Sequence, residues 1–297
     1  MRNLPLPSRD DAQEHLQTAL KKYQYKGKRL GYRVSNPQLK AILALYDDYD
    51  VTRAAPSLAL QGGNLSASLC QRIHDAFDLT QKKRKLRCIR KALTADIGLC
   101  PICGIHSVKD LDHFLPRSVF KPLAIYTRNL VPLCRECNGI KLTSFGTTGA
   151  ATSLFVHAYY DILPDVQFIR ADVKIVGEAL DVTFYVDQTA GLDPALCDRL
   201  DNQITKLELN DRYRRELNTL TYNHAVALYQ AYASKRKAGV KTYLRLVSDT
   251  LAGQFYRNHW QPVLLDALAN HDAFCDGDFA KVLPLPDAQR AAILAAI

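Results

Sequence analysis

The spacing of apolar and polar residues along this 297-residue chain predicts a protein built mainly from helices. In most of the sequence apolar residues recur every three or four positions, as on the buried face of an amphipathic helix. The segments with this pattern are residues 8–24, 36–49, 64–79, 81–97, 193–232, 241–269 and 288–297. Two of them open with strong start signals, because Asn36 precedes Pro37 and Asp193 precedes Pro194.

One segment alternates apolar and polar residues instead. Residues 166–187 do so on both sides of Gly177 and Glu178, which is typical of two antiparallel strands joined by a tight turn. Residues 25–35 combine two glycines with tyrosines and basic side chains, and we expect a loop or an extended arm there. The pattern as a whole predicts the α+β class, mainly α.

The segment predicted as a helix over residues 81–97 is strongly basic. Its cations are too many for one helix face, so we expect Leu86, Ile89 and Leu93 to face inward and the charges to ring the outside. The basic residues are Lys82, Lys83, Arg84, Lys85, Arg87, Arg90 and Lys91. Such a run is either a solvated surface or a surface that follows nucleic-acid phosphates, and its position just before Cys100 favours the second interpretation.

The net charge of +9 is concentrated in the first half of the chain. Residues 1–150 carry 24 Lys and Arg against 12 Asp and Glu, whereas residues 151–297 carry 15 against 18. A polyanion is the natural partner of such a surface, although a basic solvated surface is an equally good explanation of the charge alone. The sequence contains no run of 18 apolar residues, and its start has no apolar leader. We therefore expect a cytoplasmic protein without a membrane span.

Two cysteine pairs have the spacing of a metal site. Cys100 and Cys103 form one Cys-x-x-Cys pair, and Cys134 and Cys137 form a second about 30 residues later. Four thiolates in tetrahedral geometry describe a closed, structural zinc site. His106 is an alternative ligand, but four cysteines already complete the site. The remaining cysteines are predicted to be reduced thiols in the core: Cys70, Cys88, Cys197 and Cys275.

Between and beside these pairs lie groups suited to catalysis. Asp112 and His113 are adjacent, and Asn129 and Asn138 flank the second cysteine pair. Carboxylate and amide oxygens suit a hard divalent ion, and an imidazole suits proton transfer near neutral pH.

This segment resembles the signature of HNH endonucleases in their zinc-bearing form. The resemblance rests on Leu-Asp-His-Phe-Leu-Pro from residue 111 and on Arg-Asn-Leu-Val-Pro-Leu-Cys-x-x-Cys-Asn-x-x-Lys from residue 128, within about 45 residues of the chain. In that family the motif folds as a β-hairpin followed by a helix and holds one catalytic metal ion. The resemblance therefore implies a central, zinc-stapled ββα unit that hydrolyses phosphodiester bonds in DNA.

The resemblance also implies which residues act. His113 would be the general base on water, and Asp112 and Asn138 would bind the catalytic ion. The motif often has histidine where this chain has Asn138, and an amide oxygen favours Mg²⁺ or Mn²⁺. Asn129 would fasten the loop behind His113.

Phosphate contacts are implied for several basic residues. Lys141 lies three residues after Asn138 on the same helix face, where it would meet the substrate phosphate or is an ordinary exposed lysine. Arg117 and Arg128 would join it, or are ordinary surface arginines. The basic run supplies the other predicted nucleic-acid contacts: Lys82, Lys83, Arg84, Lys85 and Arg87.

A second, shorter stretch, His157-Ala-Tyr-Tyr-Asp161 and the hairpin after it, is similar to bacterial HNH proteins encoded beside ATPases in antiphage systems of the Septu type. This similarity implies a nuclease effector with an ATPase partner, for which the acidic second half is the expected docking surface. His157 and Asp161 could form a second metal pair, although partly buried polar residues explain them better.

These observations divide the chain into a basic helical region (1–97), a zinc-bearing nuclease unit (98–150) and a hairpin with a helical region (151–297). The expected function is that of a metal-dependent DNA endonuclease, with RNA as another possible substrate. The alternative is a four-cysteine zinc module that binds nucleic acid without cutting it.

Overall fold

The computed structural model describes residues 1–25, 27–30, 32 and 34–295. These residues form two compact units. The N-terminal unit is Asn3–Leu163, and the C-terminal unit is Pro164–Ile297 together with Met1–Arg2. Apart from Met1 and Arg2, the regions 1–97 and 98–150 therefore both lie in the N-terminal unit. The division of the chain into three functional regions stays a prediction.

The first part of the N-terminal unit is helical. Within its described residues the helices before the first cysteine pair are α1 (Ala12–Leu20), α2 (Asn36–Val51), α3 (Ala67–Ala76) and α4 (Arg87–Thr94). The N-cap of α2 is Ser35, one residue before the predicted cap Asn36. The Ser35 hydroxyl accepts the Gln38 N–H, and the Gln38 side chain accepts the Ser35 N–H, which is a capping box.

A short hairpin lies between α1 and α2. Its strands, β1 (Tyr23–Tyr25) and β2 (Lys28–Leu30), pair antiparallel. The prediction of a loop or an extended arm over residues 25–35 therefore holds for residues 27, 32, 34 and 35, which lie in no helix or strand, and is wrong for Tyr25 and Lys28–Leu30, which belong to the hairpin. Residues 26, 31 and 33 lie outside the described part.

The basic segment is helical over only half of its predicted length. Residues 81–86 form turns before α4, and Lys83 has a left-handed φ of 66°. Cations near a helix N-terminus oppose the helix dipole, and Leu86 at the cap position has no side-chain acceptor for the first N–H groups. The inward stripe is confirmed, because Leu86, Ile89 and Leu93 are buried.

The cysteine segment contributes a hairpin and a helix in direct succession. β3 (Asp110–His113) pairs antiparallel with β4 (Leu130–Leu133), with His113 opposite Leu130, and α5 (Arg135–Lys141) follows at once. Every residue of β4 is buried. Strands of four residues have little stability of their own, so this hairpin depends on the side chains packed around it.

The C-terminal unit opens with the hairpin that the alternating pattern predicts. β5 (Ile169–Val176) and β6 (Ala179–Val186) pair along their whole length, and Gly177 in the turn has a left-handed φ of 61°. The helices that follow are α6 (Pro194–Lys206), α7 (Leu209–Asn223), α8 (Ala225–Gln254), α9 (Trp260–Asn270), α10 (Phe279–Val282) and α11 (Asp287–Ala295). Asp193 caps α6 through the Leu196 N–H, as predicted.

The fold is mainly helical with small antiparallel hairpins, so the predicted α+β, mainly α class is confirmed. The described residues hold two hairpins besides β3–β4, rather than the one expected. In the part of the chain that the structure covers, we find no helix whose length and apolar character would let it cross a membrane.

Candidate metal centre and acid–histidine site

The four predicted cysteines lie together in the interior of the N-terminal unit. The sulfur atoms of Cys100, Cys103, Cys134 and Cys137 all lie within 4.8 Å of one another, and all four residues are buried. The Cys103 and Cys134 sulfurs are 3.8 Å apart. Ligands about 2.3 Å from one tetrahedral ion would stand about 3.8 Å apart, so the four thiols fit a metal ion such as zinc.

Local turns place the four sulfurs. The first pair sits in a turn closed by the Gly104 N–H on the Cys100 carbonyl, at 2.9 Å. Cys134 caps α5 and accepts the Cys137 N–H on its sulfur at 3.4 Å. Hydrogen bonds from the neighbouring thiols, that of Cys100 first, lower the pKa of Cys103 and lower that of Cys134 to about 6. Burial raises the pKa of Cys100, and hydrogen bonds from the other thiols, that of Cys100 first, raise the pKa of Cys137. The cluster therefore favours the thiolate form at Cys103 and Cys134, and binding of a metal ion would release the protons of the other two thiols.

The other sulfur and imidazole groups are not ligands of this cluster. His106 contacts Glu136 instead, with 2.9 Å between its Nε2 and the Glu136 Oε2. Cys70, Cys197 and Cys275 are buried thiols, as predicted, whereas Cys88 is exposed, so its predicted core position is wrong. Cys88 lies on the outward side of α4, opposite the buried stripe.

Asp112 and His113 point in opposite directions from the end of β3, as alternation along a strand requires. His113 is 8% exposed and packs on Phe77, with ring centroids 4.3 Å apart. Its Nε2 lies 2.9 Å from the Ala124 carbonyl oxygen. Because a carbonyl can only accept, Nε2 carries the proton and Nδ1 carries the lone pair. Burial lowers the pKa of His113 to about 3, which keeps the ring neutral.

On the other face Asp112 pairs with Lys141. The Lys141 Nζ lies 2.9 Å from the Asp112 Oδ2 and donates to the His113 carbonyl, also at 2.9 Å. The two side chains are 5% and 4% exposed. Burial raises the pKa of Asp112, and the Lys141 charge opposes this shift. Lys141 was expected to meet a substrate phosphate from an exposed position. It is instead buried, since a buried carboxylate needs a counter-charge.

The predicted ligands of a catalytic ion do not converge in this structure. Asn138 donates its amide to the Asp110 carboxylate at 3.3 Å, while Asp112 is paired with Lys141. Among the described residues the four cysteines are the only group of three or more His, Cys, Asp or Glu residues that could hold a metal ion. The arrangement of Asp112 and Asn138 therefore does not fit a divalent ion as it stands.

Asn129 fastens the loop that follows His113, as predicted. It is fully buried, and its Oδ1 accepts the Leu115 N–H at 2.9 Å and the Tyr49 hydroxyl at 3.0 Å. Its amide donates to the carbonyls of Leu115 and Leu123 at 3.1 and 3.3 Å. Its own carbonyl accepts the Phe114 N–H at 2.8 Å. The asparagine thus fixes the backbone on both sides of the loop.

Replacing Asn129 with alanine should destabilise the N-terminal unit by about 2–4 kcal/mol, because buried backbone groups lose their partners. Chemical denaturation measures the change, and Asn64→Ala, at an exposed position, is the control. An Asn129→Ala variant as stable as this control would contradict the fastening role.

The predicted phosphate contacts divide into two groups. Lys82, Lys83, Arg84, Lys85 and Arg87 are exposed. Arg128, in contrast, forms an ion pair with Asp50 and donates to the Pro7 carbonyl. Arg117 lies over the Phe77 ring and donates to the His74 carbonyl. The prediction that these two arginines contact phosphate gains no support from the structure, because distant parts of the chain hold both side chains in place.

His157 and Asp161 do not form a metal pair in this structure. The Asp161 carboxylate accepts the His157 backbone N–H at 2.7 Å. The His157 ring is 1% exposed, lies 3.1 Å from the Tyr49 hydroxyl and packs on Phe114. The ordinary structural interpretation of this pair is confirmed.

The sequence did not predict two groups that contribute to this site, the Asp110 carboxylate and the Ala124 carbonyl. Asp110 bonds to Asn138, and alternation along β3 places it on the same face as Asp112, a signal that was readable. The Ala124 carbonyl that orients His113 leaves no trace in the sequence, because any residue supplies a carbonyl.

Comparison with known proteins gives one relative of moderate similarity. The chain is 26% identical over 246 residues to Protein ea31 of Escherichia phage lambda, an alignment that covers 77% of this chain and 81% of that protein. The similarity therefore extends into both compact units. No protein-family model and no solved structure matches.

Proposed function

We propose that this protein is an HNH-type endonuclease that hydrolyses phosphodiester bonds in DNA. One observation carries the proposal: a hairpin and a helix follow each other directly, with Asp112 and His113 at the end of the first strand, Asn129 before the second, and four clustered cysteines around them. We assign a structural zinc ion to the four thiolates, because their spacing and burial suit a closed site.

His113 is the general base in this proposal. The Ala124 carbonyl holds its Nε2–H, so Nδ1 is the atom that takes a proton from water. Burial keeps the imidazole neutral, but it also lowers the pKa of His113 to about 3, which makes the ring a weak base. In this proposal the negative charge of a bound phosphodiester raises that pKa, because it stabilises the protonated ring. The HNH resemblance adds Mg²⁺ or Mn²⁺ at Asp112 and Asn138, which would offset charge on the phosphate. Such an ion would have to displace Lys141 from Asp112, so we assign it no step.

The biological setting that we propose is bacterial antiphage defence in the cytoplasm. It rests on the similarity of residues 157–161 and the following hairpin to the Septu-type HNH proteins. In this setting an ATPase partner binds the second half of the chain, whose net charge of −3 contrasts with the +12 of residues 1–150.

A specific observation favours a second candidate, a zinc module that binds nucleic acid without cutting it. The Lys141 ammonium stands between the Asp112 carboxylate and the His113 carbonyl, where an HNH nuclease needs a divalent cation. Binding alone requires only the zinc cluster and a basic surface.

Plasmid cleavage separates the two candidates. Supercoiled plasmid is incubated with the zinc-loaded protein and Mg²⁺ or Mn²⁺, and nicked and linear products are measured. We expect His113→Ala to lower the cleavage rate by about 10²–10⁴-fold, the usual contribution of a general base, without weakening DNA binding. His106→Ala, an exposed histidine, is the control. A wild type that binds DNA but never cuts it with either metal would favour the zinc module.

A further inference from the structure

A basic groove lies on the N-terminal unit beside the starts of β3 and α5. It has a volume of about 720 Å³, and Lys82, Arg90, Lys109 and Arg135 line it together with Asp110 and Asn138. The four cations come from the turns before α4, from α4, from the residue before β3 and from the first residue of α5. The fold thus gathers charges that lie up to 53 positions apart in the sequence.

The positive charge of this groove exceeds the negative charge of its lining residues, which include four cations and one carboxylate. Lys82, Lys109 and Arg135 are exposed, and none of the four cations takes part in an ion pair within the described part of the chain. The Asp110 carboxylate is the one acidic group among the lining residues, and it accepts the Asn138 amide. Several cations in one concave site concentrate a positive potential that attracts a polyanion.

Arg90 is set apart from the three exposed cations by its fixed position. Its guanidinium donates to the Lys109 carbonyl at 3.2 Å, which ties α4 to the start of β3. Its Nε is buried and has no hydrogen-bond partner among the residues that the structure describes. Only one nitrogen of the Arg90 guanidinium donates to the Lys109 carbonyl, so the remaining N–H groups are available to an anion in the groove.

One residue, Phe77, contacts both the groove and the candidate base. Phe77 forms part of its wall, and the ring of Phe77 packs against the ring of His113. A strand of nucleic acid that lies in the groove would therefore pass close to the end of β3, where Asp112 and His113 are found.

We propose that this groove binds the phosphodiester backbone of duplex DNA. Lys82, Lys109 and Arg135 pair with successive phosphates, and Arg90 positions the Lys109 backbone. The choice of DNA rests on the proposed function, but the groove serves binding whether or not the protein cuts. Lys109 and Arg135 were absent from the nucleic-acid contacts that the sequence predicted, and Arg90 was predicted only as a member of the basic run.

The test is DNA binding by the full, zinc-loaded chain in buffer without Mg²⁺ or Mn²⁺. Fluorescence anisotropy with a labelled 20-base-pair duplex gives the Kd at several salt concentrations. Each lost phosphate contact lowers the slope of log K against log salt by about 0.9, which is about eightfold in affinity at 0.1 M salt. The triple variant Lys82→Gln, Lys109→Gln, Arg135→Gln should therefore weaken binding about 500-fold and reduce the slope by about 2.7.

A matched variant controls for net charge. Lys40→Gln, Arg53→Gln, Arg72→Gln removes the same charge from exposed residues that do not line the groove, and it should retain most of the affinity and the slope. Unfolding temperatures close to wild type are expected for both triple variants, since all six residues are exposed. Arg90 is left intact because it also holds Lys109.

Three results would overturn the groove assignment: a wild type that does not bind DNA, equal losses in the two triple variants, or tighter binding of a matched RNA duplex than of DNA. The proposed nuclease function fails separately. If the groove variant loses binding while wild type binds but never cuts, the groove assignment stands and the endonuclease assignment falls. If wild type cuts DNA and the groove variant binds and cuts DNA equally well, the endonuclease assignment stands and the groove assignment falls.

Discussion

Replacement of Cys134 by serine is expected to release the metal ion and to unfold the segment around it. The four sulfurs lie within 4.8 Å of one another in the interior, and a serine hydroxyl is a poor substitute for a thiolate ligand. Structural zinc contributes on the order of 10 kcal/mol to the folding of small zinc domains. The segment depends on that contribution, because two four-residue strands and a seven-residue helix are too short to persist alone.

Zinc content and protease sensitivity measure this outcome. We expect wild type to hold one zinc ion per chain and Cys134→Ser to hold almost none, with new cleavage sites between residues 98 and 141. Cys197→Ser is the matched control, because Cys197 is also buried but lies in the C-terminal unit, away from the cluster. Full zinc stoichiometry in Cys134→Ser would refute the four-thiolate site.

The cluster was predictable because ligand spacing in the sequence translates directly into geometry. A Cys-x-x-Cys pair places two sulfurs on one turn, whatever the rest of the fold does. The hairpin around Gly177 was predictable for a similar reason, since alternation sets the strand faces and the glycine sets the turn. Neighbouring residues alone determine the hairpin and each of the two cysteine pairs, and the shared ligand chemistry of the two pairs indicates that they meet.

The positions of several charged residues were not predictable, because partners distant in sequence decide them. Arg128 is held by Asp50, 78 positions earlier, and Lys141 is buried by Asp112, 29 positions earlier. No local pattern reports such pairs, and a lysine at the end of a short helix normally faces solvent. The shortened α4 is a different case, because the cations and the missing cap at its start are local features that outweigh the periodicity of its apolar residues.

Replacement of Lys141 by methionine is expected to destabilise the N-terminal unit by about 3–5 kcal/mol, the usual cost of removing one partner from a buried ion pair. The change leaves the Asp112 carboxylate in the interior without a counter-charge. Asp112→Asn should cost a similar amount, because it strands the ammonium instead. Lys91→Met removes an exposed lysine from α4 and should be nearly neutral.

The direction of the pH dependence follows from the same pair. Burial already raises the pKa of Asp112, and Lys141 opposes the shift, so Lys141→Met should raise this pKa further. A group whose pKa is raised on folding stabilises the fold at low pH and loses that contribution as the pH rises through the folded value. The Lys141→Met variant should therefore lose more folding stability relative to wild type at pH 8 than at pH 5.

A double-mutant cycle shows whether the two charges act as a pair. Asp112→Asn, Lys141→Met replaces both ions by neutral side chains, and its stability should lie within about 1–2 kcal/mol of wild type, since neutral replacements of a buried ion pair are often tolerated. Denaturation of the four proteins gives the coupling energy. Losses that simply add would mean that Lys141 is not committed to Asp112. Its ammonium would then be available to a substrate phosphate, and Asp112 to a divalent ion, as the HNH resemblance implies.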